Sequence, residues 1–176
     1  MLLNLQVKNL ALIEKAEVSF SEGLNILTGE TGAGKSIIIG SVNMALGGKT
    51  SRDMIRQGAD YAYVELVFSV DDPVKRKRLE ELDLDLPEDG TIIISKKIMP
   101  TRSLSKINDE TVTTGRLKEI TSLLIDIHGQ HEHQSLLYKS KHLQILDAYA
   151  RSQTQPLKEK ISVNYHQYQE VLKALE

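Results

Sequence analysis

Gly29-Glu30-Thr31-Gly32-Ala33-Gly34-Lys35-Ser36 is the stretch on which the reading of this chain turns. It runs glycine, four residues, glycine, lysine and a hydroxyl residue, which is the P-loop pattern. Before it, Leu24, Ile26 and Leu27 form a short apolar run ending at Thr28, and a buried strand is predicted there. After it, Ile38, Val42, Ala45 and Leu46 recur at helical spacing until Gly47-Gly48 stops the helix. A glycine-rich turn between strand and helix is the context in which the pattern becomes a phosphate site.

The residue types follow from that chemistry. Gly29, Gly32 and Gly34 carry no Cβ, so the backbone can turn through positive φ and close around a phosphate. Successive N–H groups, those of Glu30, Thr31 and Ala33 among them, then point at the anion, helped by the positive end of the helix that starts near Lys35. Lys35 is expected to reach the β- and γ-phosphates of ATP, and the Ser36 hydroxyl to ligate Mg²⁺.

Composition sets the outer limits. The 176 residues are 40% hydrophobic and 26% charged, enough for one globular domain with a real core. A net charge of −2 gives no overall electrostatic footprint for nucleic acid, so any DNA contact has to be local. The chain has no cysteine, hence no disulfide and no thiolate metal site, as suits a reducing cytoplasm. No apolar run is long enough to span a membrane, and Met1-Leu2-Leu3-Asn4-Leu5-Gln6 lacks the basic end of a signal peptide, so Met1 reads as a cytoplasmic start.

Along the chain, Leu3, Leu5 and Val7 alternate with polar residues, as do Ala16, Val18 and Phe20, and Ser21-Glu22-Gly23 turns toward the P-loop. Ala62, Val64, Leu66, Phe68 and Val70 form one face of a longer strand. Asp72-Pro73 opens a helix, with the aspartate as N-cap and proline in the first turn. That helix carries Lys75-Arg76-Lys77-Arg78, read as a solvated face with Arg76–Glu80 and Lys77–Glu81 pairs one turn apart. Thr91 to Ile98 is a β-branched strand that 102–107 can pair with, turning at Asn108-Asp109-Glu110. Thr113 or Thr114 caps a helix through Leu117, Ile120 and Leu124. In the tail, Leu157, Ile161, Tyr165, Tyr168, Leu172 and Leu175 step by four, four, three, four and three. That spacing is a coiled-coil seam, or a surface helix packed on the domain, and it is still running at Glu176 as though cut mid-helix.

A P-loop near residue 30 between antiparallel segments, in a chain that runs out into a seam, resembles the SMC-like ATPases. Within them, the P-loop octapeptide, the opening Val7-Lys8-Asn9-Leu10-Ala11-Leu12-Ile13 and the string Asp126-Ile127-His128-Gly129-Gln130-His131-Glu132-His133-Gln134-Ser135-Leu136-Leu137 are similar to bacterial DNA repair proteins of the RecN type. The resemblance covers essentially the whole chain. It implies an α/β P-loop NTPase fold, the N-terminal lobe of an ABC/SMC-type ATPase head with an antiparallel β subdomain. That lobe would occupy 1–150 and the start of a coiled-coil helix 151–176. It also implies that Gln130 is the Q-loop glutamine, approaching Mg²⁺ and the attacking water. The signature motif, the Walker B aspartate and the catalytic glutamate would lie in a C-terminal half of the same head. Two heads, as a homodimer, would sandwich ATP, and the parent would act on DNA during double-strand break repair, associated with the nucleoid. Where the family commonly has Asn-Gly at the hairpin tip this chain has Asn108-Asp109, which still tolerates positive φ.

Other readings of single stretches compete. Leu123-Leu124-Ile125-Asp126 mimics a Walker B strand, yet Ile127 rather than glutamate follows the acid. His128, His131 and His133 with Glu132 invite a zinc site, but the spacing is not that of a helical zinc motif and no cysteine completes a tetrahedral set. Lys49, Arg52 and Arg56 are candidates to reach phosphate or DNA across a head dimer. A self-contained P-loop kinase needs an arginine-rich lid that 102–116 does not supply, and a non-catalytic scaffold with a vestigial P-loop is at odds with an intact Lys35-Ser36.

Overall fold

The structure, a computed structural model, describes residues 1–28, 34–127, 142–143, 146–147 and 149–175. It divides into two compact units, Met1–Asp126 and Ile127–Glu176.

The first unit is built on a six-stranded sheet in the order β2-β1-β3-β4-β5-β6, antiparallel at every step. Its strands are β1 (Leu2–Leu10), β2 (Ile13–Ser19), β3 (Ala62–Ser69), β4 (Thr91–Ile98), β5 (Ser103–Ile107) and β6 (Glu110–Val112). Period-two patterning decides which face is covered. Leu5 and Val7 of β1, Ala62, Val64, Leu66 and Phe68 of β3, and Ile92, Ile94 and Ile98 of β4 are all buried. Helices α1 (Lys35–Ala45) and α3 (Thr114–Leu124) supply Met44, Ala45, Leu117 and Ile120 to the same core. Each Val, Leu, Ile, Phe or Met side chain among them contributes about 1.5–3 kcal/mol by leaving water. Continuous antiparallel pairing is unlike the mostly parallel sheet that a small P-loop kinase requires.

The caps fall where the side chains dictate. Asp72 accepts a 2.8 Å hydrogen bond from the Val74 N–H and starts α2 (Pro73–Glu80). Thr113 accepts from the Arg116 N–H at 3.3 Å and starts α3. Asn108 and Asp109 both take positive φ, 45° and 69°, so the hairpin turn survives without glycine and feeds the short strand β6, which the pattern did not single out.

Two expectations are corrected. Leu24 to Thr28 is not a strand, and Leu24, Ile26 and Leu27 are 86%, 74% and 46% exposed. A strand needs a ladder partner, and none of the described strands pairs with this segment. Asn25 instead ties the backbone locally, accepting from Ser21 N–H and donating to Ser21 O. The Arg76–Glu80 pair is replaced by backbone contacts. Arg76 Nε donates to Val70 O at 2.9 Å and its Nη2 to Glu88 O at 3.0 Å, because the acidic loop returns beside α2. Nor is a Lys77–Glu81 bridge formed among the described residues; both side chains are exposed, where such a pair gains little. The reading of Asp126 as a structural acid rather than a Walker B residue agrees with the backbone: Leu123 and Leu124 form the last turn of α3, Ile125 is extended, and no strand among the described residues leads to Asp126.

In the second unit, helix α4 (Arg151–Leu175) takes in the predicted seam. Leu157, Ile161, Tyr165, Tyr168 and Leu175 are 57–80% exposed and Leu172 is 39% exposed. Lys158 and Asp147 form an ion pair, and Thr154 Oγ1 donates to Asp147 O at 3.2 Å. Among the described residues no helix is long and apolar enough to cross a membrane.

Candidate phosphate-binding site

Helix α1 begins differently from α2 and α3. Its N-cap is Gly34, with φ 93° and ψ −7°, and no side chain caps the first turn. Where Asp72 and Thr113 help to satisfy the first N–H groups of α2 and α3, the Gly34 cap of α1 supplies no side-chain acceptor, a helix start suited to an anion. A Cβ on Gly34 would meet nothing within 4 Å. Glycine is therefore required by the left-handed backbone and not by crowding. Lys35 and the exposed Ser36 occupy the first turn of the helix, where the sequence placed them.

The far end of α1 anchors it. Met44 and Ala45 are buried, Ser41 Oγ donates to Ile38 O at 2.7 Å, and Gly47 at φ 101° ends the helix. Burial at one end and exposure at the other hold the Lys35 end on a rigid element at the protein surface.

A cleft of about 400 Å³ opens beside Gly34 and Lys35, walled by Thr28, Leu27 and Ile38 on one side and by residues 12–16 on the other. That size suits a nucleotide. Residues 12–16 belong to the β1–β2 turn and the start of β2, and their part in the site was not read from the sequence. No local motif marks them; only the pairing of β1 with β2 brings them there. The turn is clamped from behind. Ala11 N–H donates to Met54 O at 2.7 Å, Arg56 N–H to Asn9 O at 3.0 Å, and Arg56 Nη1 to Leu12 O at 2.8 Å. Arg56 also stands 3.8 Å from the Glu14 carboxylate. Among the basic candidates, Arg56 thus holds one wall of the cleft. Arg52 sits in a short 3₁₀ turn, Arg52–Met54, and lines a separate cleft of about 230 Å³ with Arg102. Lys49 is exposed.

Gly29, Glu30, Thr31, Gly32 and Ala33 lie outside the described residues, and so do Gln130, His128, His131, Glu132 and His133. Among the described residues no cluster of three or more histidine or acidic side chains is placed to hold a metal ion.

An all-antiparallel sheet covering a helix that starts Gly34-Lys35-Ser36 at the edge of a nucleotide-sized cleft defines a P-loop ATPase fold of the SMC-head kind. The chain belongs to the AAA domain family, whose profile matches residues 4–176. It is similar to DNA repair protein RecN of Halalkalibacterium halodurans, 42% identical over 171 residues that cover 96% of this chain and 30% of that protein. RecN of Bacillus subtilis is 39% identical, covering 99% of this chain and 31% of its own length. The chain thus spans about a third of the length of these curated relatives. Among solved structures, a Pyrococcus furiosus Smc head domain with an extended coiled coil superposes with a TM-score of 0.61 at 23% identity, over 98% of this chain and 47% of that one. The recombination mediator RecF, in its ATP-bound structure, superposes at 0.50 with 17% identity over 66% of this chain and 30% of that one. At those identities the likeness concerns the fold.

Proposed function

We propose that this chain is the ATP-binding part of an SMC-like ATPase head whose parent hydrolyses ATP to ADP and phosphate during DNA double-strand break repair and recombination. The observation that carries the reading is the uncapped, glycine-led start of α1 with Lys35 at the mouth of the 400 Å³ cleft.

The amides of residues 29–34 and the α1 dipole take up the negative charge of the phosphates. Lys35 adds a mobile cation for the β- and γ-oxygens and neutralises the charge that develops in transfer. Ser36, exposed in the first turn, has the hydroxyl and the access required of a Mg²⁺ ligand, and Gln130 is the second candidate. Ser36 and Gln130 would hold Mg²⁺, which when bound would supply positive charge against the phosphates. Gln130 also orients the attacking water in this scheme. Residues 12–16 give the nucleoside end a wall to lie against.

No carboxylate in this chain is assigned as general base. The parent's C-terminal half and a second head would supply that group and the opposing face. The exposed strip Leu24, Ile26 and Leu27 supports this, since it offers an apolar backbone segment with no ladder partner in β1–β6. Helix α4 is the start of the coiled coil, its exposed 4-3 seam awaiting a partner helix.

Calorimetric titration with Mg-ATP tests the reading. The chain is expected to bind weakly, and Lys35→Ala to lower affinity at least about tenfold, the worth of a charge-assisted contact. Hydrolysis is expected to stay at background until the C-terminal half is added. Turnover by the chain alone that Lys35→Ala abolishes would overturn the division of labour; affinity indifferent to Lys35→Ala would overturn the site.

A further inference from the structure

The face of the sheet turned away from α1 and α3 carries a row of three lysines, two of which, Lys8 and Lys97, take no part in the nucleotide cleft. Strand register makes Lys15 of β2 the direct partner of Lys8 of β1, Lys8 the partner of Tyr63 of β3, and Tyr63 the partner of Lys97 of β4. Direct partners point to one face, so three lysines and a tyrosine line up across four strands, over about 14 Å at the usual strand spacing. Lys8 and Lys15 are exposed. Like charges placed opposite each other cost stability, so the fold gains nothing from this pairing. The row is also held in shape. Lys97 Nζ lies 4.1 Å from the centre of the Tyr61 ring and Lys8 Nζ 6.0 Å from it, so one aromatic ring gathers two ammonium groups.

We infer that this row is a docking surface for the phosphate backbone of double-stranded DNA. The inference rests on the proposal that the parent acts on DNA, and it names the surface. Aligned cations on a protein of net charge −2 make a local electrostatic footprint, which is what sequence-independent binding to a polyphosphate backbone uses. Single-stranded nucleic acid would call for open aromatic faces on which bases stack. Here Tyr61 is engaged by the lysines, and the Tyr63 hydroxyl donates to Glu65 at 2.5 Å. What the face offers is charge. Its counterweight is the adjoining row, where Glu17 and Glu65 flank Gln6.

Fluorescence anisotropy with a labelled duplex of mixed sequence, titrated against salt, tests the surface. Lys15 also lines the nucleotide cleft and is left intact. Lys8→Gln with Lys97→Gln is expected to weaken duplex binding about tenfold near 0.1 M salt and to flatten the salt slope by about 1.8, two phosphate contacts' worth. Glu65→Gln keeps an acceptor for Tyr63 and removes a negative charge, so it is expected to tighten binding, a gain that misfolding cannot produce. Lys75→Gln with Lys77→Gln on α2 is expected to change nothing. Unchanged affinity and slope in the Lys8/Lys97 variant would overturn the inference, as would single strands bound in preference to duplex, or no DNA bound at all. Mg-ATP titration of the same variants keeps the two readings apart: they should retain nucleotide affinity, whereas Lys35→Ala should lose it and keep duplex binding.

Discussion

At Gly34 the backbone enters α1 through φ 93°, where an L side chain costs about 1–2 kcal/mol. The space around it is open, so Gly34→Ala is expected to fold and to melt nearly as the parent does. Its cost should appear as roughly tenfold weaker Mg-ATP binding in the calorimeter, because the strained loop relaxes away from the phosphate-binding conformation. Tyr63 makes a different prediction. Burial first, then its hydrogen bond to Glu65, pushes its hydroxyl up from 10.0 to about 12. Between those values the unfolded chain gives up a proton that the folded chain keeps, so stability present below pH 10 is lost as pH rises through 12. Tyr63→Phe removes this contribution, and alkaline unfolding followed by circular dichroism is expected to become shallower over that window. Lys96 carries the opposite sign. It is 3% exposed between Ile94 and Ile98 on the core side of β4, and burial, followed by repulsion from Lys118, lowers its ammonium pKa. Keeping that charge at neutral pH costs stability, and the cost eases as pH rises toward the ordinary lysine range. Lys96→Met is therefore expected to raise the melting temperature at pH 7.

At the scale of elements, the acidic loop after α2 is held by Arg76, which spans from the end of β3 to residue 88 through two carbonyl contacts. Gly90 must sit against it, since a Cβ there would lie 2.4 Å from Arg76 Nη2 and 2.7 Å from Val70 O. Gly90→Ala also inherits φ 70° and is expected to cost about 2–4 kcal/mol in denaturant melts. Arg76→Ala is expected to cost about 1–3 kcal/mol, and Glu80→Gln nothing, which separates these contacts from the helical ion pair that the spacing suggested. This contrast shows what the sequence could tell. Period-two faces, Asp72-Pro73, Thr113 and the Asn108-Asp109 turn were legible because each depends on neighbours within a few residues. The P-loop end of the site was legible for the same reason, as Gly34-Lys35-Ser36 is a local pattern. Arg76, Arg56 and the wall of residues 12–16 were not, because their partners lie elsewhere in the chain and only the sheet brings them together. Leu24 to Thr28 was misread because an apolar run reports the wish to be covered and is silent on what covers it.

At the scale of the whole molecule, hydrophobic burial among the described residues is confined to one unit. Every buried apolar side chain among the described residues lies between Leu5 and Ile120, inside Met1–Asp126. Helix α4 (25 residues) buries none of its own and carries Pro156 in its interior, so it lacks the packing from which most helical stability comes. Two melting behaviours are therefore expected. The sheet unit should unfold cooperatively, with a midpoint that removal of 151–176 leaves nearly unchanged. The α4 contribution to the 222 nm signal should fade gradually at lower temperature in dilute solution. If its seam pairs as proposed, raising the protein concentration should sharpen that fading and move it upward, because association couples helix formation to burial of Ile161, Tyr168 and Leu172. Ile161→Asp with Leu172→Asp should remove the concentration dependence and leave the sheet transition in place. A helical signal that stays independent of concentration up to millimolar protein, with the seam intact, would mean that α4 has no affinity for its own kind and that its partner is a different helix.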